Sequence, residues 1–499
     1  MSSGATTPSQ FPLELRSTTE LLALLRERKL GAVELLDRLL ARVERLNPGL
    51  NAVVARDVEG ARRAARAADD TPADRRGPLH GLPMTLKDVW EVPGMPATCG
   101  MPELAHYVPT SEADAVARLR AAGAIPFGKT NTPYAAADHQ SYNDVYGTSN
   151  NPWNRERTPG GSSGGAAAAV AAGLTPLELG SDIGGSIRCP AHFCGVYGHK
   201  PSYGIVPLRG HIPPPPGALV VPPLPVGGPI ARSARDLELA LDVLVSPAAA
   251  DRAAWTVRVP PSRHERLGDF RVALWADQKA YSVDARCVAA MQSWADDLAR
   301  LGVHVDATAR PEFDPAASDE LYIHMLFAVL SAGMPEPLLA ATEQAAAALG
   351  APPDSHPARI ARAIRTSFGQ FAGLLERQAR LAASWRRFFE RYDLIICPIL
   401  PTVAYPHDHS VAGPGFAAQF RRTLRVDGRT IPYLHGLQWP GLATVANLPA
   451  TAVPTGRLID GLPMGVQLIG PYLEDRTPLR FAQLVESELG GYRAPPGLD

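Results

Sequence analysis

The chain has 499 residues, 45% of them hydrophobic, with 49 Lys and Arg against 50 Asp and Glu, leaving a formal net charge of −1. This balance, without any run of five or six like charges, argues against steering toward nucleic acid or an anionic membrane. Five cysteines (Cys99, Cys189, Cys194, Cys287, Cys397) form no CxxC pair and the 13 histidines form no HExxH, so neither a disulfide framework nor a zinc site is expected. The opening MSSGATTPSQFPLELRSTTE lacks an apolar h-region, and no later stretch has the length and apolarity of a membrane span. A cytoplasmic protein, monomer or homodimer, is expected.

Residues 1 to 15 are expected to be flexible until docked. Ser17 with Glu20 makes a capping-box pattern that opens a helix over TELLALLRER, and a second helix follows over AVELLDRLLARVERL, ended by Asn47-Pro48-Gly49. A basic, alanine-rich helix near Val58 to Ala68 leads into a loop and then GLPMTLKDV, Gly81 to Val89. That segment predicts a short strand whose apolar Leu82, Met84 and Leu86 lead to Lys87 at its end. Lysines are ordinarily solvated, so Lys87 gains interest only if something downstream needs a buried base.

Ser111 to Ala122 predicts a helix stopped by Gly123, then a strand Ala124 to Phe127 and a turn GKTNTP. Gly123, Gly128, Lys129 and Thr130 match the phosphate-binding pattern GxxxxGKT. A P-loop runs strand, glycine loop, helix; this stretch runs helix, strand, turn, with Pro126 inside the supposed cradle, which makes a nucleotide-binding reading weak.

Pro159 to Pro190, PGGSSGGAAAAVAAGLTPLELGSDIGGSIRCP, sets two glycine-serine clusters around an alanine-rich run. Glycine at this density gives up helix and strand propensity for backbone freedom, as where hydroxyls and backbone N–H groups must converge on one atom. A flexible linker has similar composition, but the residues between the clusters are apolar. GGSSG also fits the G-x-S-x-G nucleophile elbow of an α/β-hydrolase-like esterase. An elbow needs a strand running into it, and Asn151 to Thr158 is polar and loop-like, so that reading ranks second.

Pro207 to Pro229 predicts an extended surface loop. Helix Ala234 to Leu244, strand Arg271 to Trp275, and a mostly helical stretch from Ala285 to Tyr392 follow, with a variable cap over about 310 to 392. Strand Leu394 to Cys397, the apolar segment Ala443 to Val453, strand Met464 to Ile469 and a helix near Thr477 to Glu488 close the chain. No linker divides residues 16 to 490, which predicts one α/β unit.

GLPMTLKDV, GKTN, PGGSSGG, LGSDIGGSIRCPA and DGLPMGVQLIG occur in this order, and together they resemble the amidase signature family. The resemblance runs from about Leu24 to Leu489 and is densest from Gly81 to Gly204. It implies a single α/β/α domain with a large mixed central sheet covered by helices on both faces. It also implies an amidase with a Ser-Ser-Lys triad, without cofactor or metal. Position by position, Ser186 would be the nucleophile, Ser162 the bridging serine and Lys87 the base. Backbone N–H groups of Ile183, Gly184, Gly185 and Ser186 would form the oxyanion hole, with Asp182 and Arg188 as a supporting ion pair and Ser163 in a structural role. The chemistry is consistent with that division: a serine hydroxyl needs a base, and lysine serves only when neutral. Lowering its pKa from about 10.4 by about three units costs roughly 4 kcal/mol of charged-state stability.

In the family, the stretch after GKTN lines the acyl pocket; here it is Tyr134-Ala135-Ala136-Ala137-Asp138-His139. The alanines either leave room for a bulky or aromatic acyl group or pack against a neighbouring helix. A small-molecule aryl or alkyl amide is the expected substrate, with esters or carbamates open to the same nucleophile. The alternative within the resemblance is the glutaminase-type A subunit of glutamyl-tRNA amidotransferase. That subgroup carries a tyrosine pair in the helix before the DLIICP strand, and GQFAGLLERQARLAASWRRFF has none.

Overall fold

The structure is a computed structural model describing residues 11–350, 352–410 and 415–498. Eleven strands from along the chain join one sheet: β1 (Val53–Arg56), β2 (Pro83–Lys87), β3 (Ile125–Thr130), β4 (Leu177–Asp182), β5 (Tyr197–Lys200), β6 (Val226–Ala231), β7 (Arg271–Leu274), β8 (His304–Asp306), β9 (Leu394–Cys397), β10 (Ala450–Ile459) and β11 (Leu462–Ile469). Their spatial order is β1-β3-β2-β4-β6-β5-β10-β11-β9-β7-β8. The sheet is mixed: β3, β2 and β4 run parallel, as do β9, β7 and β8, while the pairs between these groups are antiparallel. Helices cover it, giving the large mixed α/β fold expected. Among the described residues no helix is long and apolar enough to cross a membrane.

Local chemistry explains most elements. Ser17 and Glu20 form the expected capping box at the helix Thr18–Arg26. In the next helix, Ala32–Leu50, Leu35, Leu36, Leu39, Val43 and Leu46 share one buried face. That helix does not stop at Asn47 as expected but takes Pro48 into its last turn and ends at Asn51, whose φ is +47°. The Asn47 side chain accepts from the N–H groups of Ala52 and Val53, which ties down the exit instead. Within the stretch expected to be flexible, Leu13–Leu15 forms a 3₁₀ turn with Leu15 buried; residues 1–10 lie outside the described residues.

The alanine-rich run becomes the helix Gly164–Ala171, every residue of it buried. Its small side chains admit close neighbours: a Cβ on Gly165 would stand 2.4 Å from the Asn131 amide nitrogen. The helix thereby holds Ser162 and Ser163, just before it, against the carboxyl ends of β2 and β4. Ligand sites in open α/β sheets form beyond such ends. Two segments close over this edge. One is the proline-rich loop; the other is the end of the helix Pro315–Leu330 with the loop after it, the first part of a helical stretch that continues through Glu336–Ala348, His356–Ala363 and Phe368–Phe389.

Candidate active site

Strand β2 is buried along its length and ends on Lys87, with Leu86 paired to Leu179 of β4 and Lys87 to Thr130 of β3. The lysine has 0% exposure, and its Nζ donates to Ser162 Oγ at 2.6 Å and to Ser181 Oγ at 3.1 Å. Burial pushes its ammonium down to about 7, against the opposing pull of Asp182 and Glu178. A lysine held this way is part neutral at physiological pH. One of its N–H groups can stay on Ser181 while its lone pair faces Ser162.

Ser162 follows a cis Gly161–Ser162 peptide. Ser163 donates its backbone N–H to the Ser186 carbonyl at 3.1 Å and its hydroxyl to the Ser181 carbonyl at 3.3 Å, which pins the two glycine-serine clusters together. Ser162 and Ser186 line the same cavity; among the described residues no hydrogen bond joins their hydroxyls.

Asp182 organises the turn after β4. Its carboxylate accepts from the N–H groups of Gly185 (2.9 Å) and Ile187 (3.1 Å) and pairs with Arg188, Nη2 to Oδ1 at 2.8 Å and Nε to Oδ2 at 3.0 Å. Burial pushes this carboxyl up, but the Arg188 guanidinium and the converging N–H donors more than offset it and hold it well below the usual carboxylate range. Arg188 also reaches the Pro440 carbonyl, Gln467 and Thr444. Replacing Asp182 by asparagine strands that guanidinium without a counter-charge and is expected to lower the unfolding free energy by about 3–5 kcal/mol, read from urea denaturation.

This geometry corrects one expectation. The Gly185 amide is engaged by Asp182, so it is not free for an oxyanion. The amides of Ile183, Gly184 and Ser186 meet no protein acceptor among the described residues. Gly185 has φ +96°, and a Cβ there would stand 2.9 Å from Pro440 Cβ, so glycine is required for the turn rather than for donation.

The cavity beside Ser186 has a volume of about 350 Å³. Its walls include Tyr134, Ala135, Ala136 and Ala137, so of the two readings left open the alanines take the one that faces open space. The proline-rich segment is not only a surface loop: Pro213, Pro214, Pro215, Pro222 and Pro225 line the cavity. Val329, Leu330 and Met334 supply a wall from the helical region, and Asp138 and Arg422, paired at 2.5 Å, sit at one side. A recess of about 50 Å³ adjoins it at Ile183, Gly184 and Ser186, walled by Leu326, Phe327 and Leu437. Sequence reasoning missed Ser181, Arg422 and Tyr322, which donates to the Ile183 carbonyl, and it placed His139 only in the acyl-pocket stretch, whereas that side chain bonds the Gly184 carbonyl.

The two lesser readings do not fit. Gly128, Lys129 and Thr130 lie inside β3, and Lys129 is buried on Asp88 (3.1 Å) and the carbonyls of Trp90 (2.8 Å) and Pro96 (2.9 Å), with no donor left for phosphate. No strand runs into Ser162 among the described residues, and its hydroxyl is bonded by a lysine, not a histidine, so the elbow reading falls as well.

Comparison with known proteins gives a consistent picture. The family model described as Amidase matches residues 34–479. The A subunit of the glutamyl-tRNA(Gln) amidotransferase from Roseiflexus sp. (strain RS-1) is 33% identical, over 94% of this chain and 96% of that protein. Among solved structures, a bacterial aryl acylamidase of the amidase signature enzymes is 26% identical with a TM-score of 0.78, covering 98% of this chain and 99% of its own. A 6-aminohexanoate cyclic dimer hydrolase solved with its substrate is 27% identical with a TM-score of 0.77, covering 98% and 100%.

Proposed function

Since the chain belongs to the amidase family and is an amide-hydrolysing enzyme by that membership, we propose that it cleaves a small carboxamide through an acyl-enzyme on Ser186. Lys87 acts as base and Ser162 as proton relay. The observation that carries this reading is the buried 2.6 Å contact between Lys87 Nζ and Ser162 Oγ, on the wall of the cavity that also holds Ser186. Neutral Lys87 takes the Ser162 proton while Ser162 takes that of Ser186. The Ser186 oxygen attacks the carbonyl, and the oxyanion forms toward the free amides of the glycine turn. On collapse the proton returns through Ser162 to the departing nitrogen, which an amide requires because its anion is a very poor leaving group. Water then repeats the sequence on the acyl-enzyme.

The apolar walls support an aryl or alkyl acyl group, with esters and carbamates as further substrates. Ala137→Leu narrows both cavity and recess, and kcat/KM for a bulky anilide is expected to fall about 10- to 100-fold while acetamide turnover stays nearly unchanged. A second reading, glutamine hydrolysis in the manner of a tRNA-dependent amidotransferase, is supported by the 33% identity to the Roseiflexus protein. Glutamine carries both charges of an amino acid, whereas the cavity's buried cation Arg422 is already matched by Asp138. Ammonia release from L-glutamine, measured beside product release from a panel of anilides, primary amides and carbamates, separates the two. A kcat/KM on glutamine above that on every other amide would overturn the apolar reading.

A further inference from the structure

A trans peptide unit sets its C=O and the next N–H on opposite sides of one plane, so whatever holds the carbonyl decides where the amide points. Each carbonyl from Ile183 to Gly185 is held. The Tyr322 hydroxyl donates to the Ile183 carbonyl at 2.9 Å, His139 Nε2 donates to the Gly184 carbonyl at 2.7 Å, and the Gly185 carbonyl accepts the Cys189 N–H at 2.6 Å. The amides across these planes belong to Gly184, Gly185 and Ser186. That of Gly185 is turned onto Asp182; those of Gly184 and Ser186 are unclaimed, in residues that line the recess beside the nucleophile. The Cys189 bond comes with the helical turn. His139 governs the amide that Asp182 already holds. Tyr322 alone among these side chains governs a free one.

We propose that Tyr322 is a positioning residue whose hydroxyl aims the Gly184 amide into the oxyanion site. The proposal rests on the reading of Ser186 as nucleophile. Tyr322 is buried in the helix Pro315–Leu330, whose Leu326 and Leu330 wall the same recess. Its seat is fitted from the other side too. A Cβ on Gly441 would stand 2.4 Å from Tyr322 Cδ1, and Gly441 lies within the helix Gln438–Val445. Glycine inside a helix costs about 1 kcal/mol against alanine, and the Tyr322 ring supplies the steric reason for it. The helix Gln438–Val445 is thus shaped around the ring whose hydroxyl holds the Ile183 carbonyl.

Tyr322→Phe keeps the ring and removes only the O–H. Its kcat on an anilide is expected to fall about 10- to 100-fold, less than the 10²–10³ of deleting an oxyanion donor outright, with KM within about twofold. Affinity for an aryl trifluoromethyl ketone, whose Ser186 adduct carries the oxyanion, should fall by the same factor, and the pH profile should keep its midpoint. Gly441→Ala, which keeps the hydroxyl but displaces the ring, should reproduce this pattern. A near-wild-type kcat in Tyr322→Phe, or a lowered kcat with unchanged ketone affinity, overturns the proposal. A wild-type enzyme that neither hydrolyses amides nor binds the ketone sinks the Ser186 reading, and the proposal with it, which keeps the two failures apart.

Discussion

Replacing Lys87 by methionine is expected to lower amide turnover about 10³- to 10⁴-fold while making the fold relatively more stable at neutral pH. The loss of rate follows from removing the proposed base, the lysine whose Nζ bonds Ser162; on that reading the Ser186 hydroxyl then keeps its proton at the moment of attack. Wild-type kcat/KM should rise with pH through about 7, because a lysine in the proposed role of base serves only after it has given up its proton. The methionine variant should lose that rise.

The stability change has a definite sign. The unfolded chain protonates this lysine below about 10.5 and the folded chain only below about 7. Between these values the unfolded state holds more protons, so wild-type stability rises with pH across the window, and below about 7 the contribution is constant. The difference between pH 10.5 and pH 7 is on the order of 4 kcal/mol for this group. Methionine carries no such linkage. Stranding the Ser162 and Ser181 hydroxyls costs the variant a similar amount at every pH. The gap between variant and wild type should therefore shift in favour of the variant as pH falls from 10 to 7, read from urea midpoints at both. A gap that does not move would mean that the folded lysine keeps its ordinary pKa, and the proposed base would lose its physical basis.

What the sequence makes legible here is local. GLPMTLK reads as a strand ending in a lysine because its apolar residues leave that element little choice, and SDIGGSIR reads as a place where backbone N–H groups converge because glycine at that density trades helix and strand propensity for backbone freedom. The GKT segment misleads for the opposite reason. Its glycine and lysine suggest a turn, but β3 is paired on both sides, to β1 and β2, and the pairing overrides local preference. Pro126 is tolerated there because the register with β2 shifts between Met84 and Thr85, beside its partner position. Gly128 is needed because a Cβ would stand 2.8 Å from the Ala55 carbonyl of β1.

Long-range contacts decide the remaining features. The proline-rich segment has the composition of a surface loop. It is drawn over the cavity by the Ile212 N–H bonding the Val89 carbonyl at 2.8 Å and by a bridge between Trp90 and His211, neither of which leaves a local trace. Tyr322 sits in ELYIHMLFAVL, where apolar residues surround the helix and no polar face marks the side that meets the site. Which amide of IGGS is free depends on where the Asp182 carboxylate turns, and spacing cannot tell a donor aimed at a substrate from one aimed at its own strand.

Ser186→Ala is expected to lower kcat for amides by roughly 10⁵- to 10⁶-fold, leaving the residual rate that aligned amides and substrate binding alone support. It should also abolish covalent capture by a fluorophosphonate, which in the wild type adds one adduct by intact mass, mapped by peptide analysis to Ser186. Stability should change little: the side chain is small, the Ser163 N–H bonds the backbone carbonyl of Ser186 rather than its hydroxyl, and no buried partner is orphaned. Ser162→Ala is the instructive contrast. It removes the relay and the hydroxyl on which Lys87 rests, so amide turnover should fall steeply. The Ser186 oxygen remains, however, and a fluorophosphonate with a good leaving group needs no proton delivered to nitrogen. Slow labelling at Ser186 should therefore persist in Ser162→Ala and be absent from Ser186→Ala. The reverse result, an adduct on Ser162 that survives loss of Ser186, would exchange the two roles and leave the free amides of Gly184 and Ser186 without an oxyanion to hold.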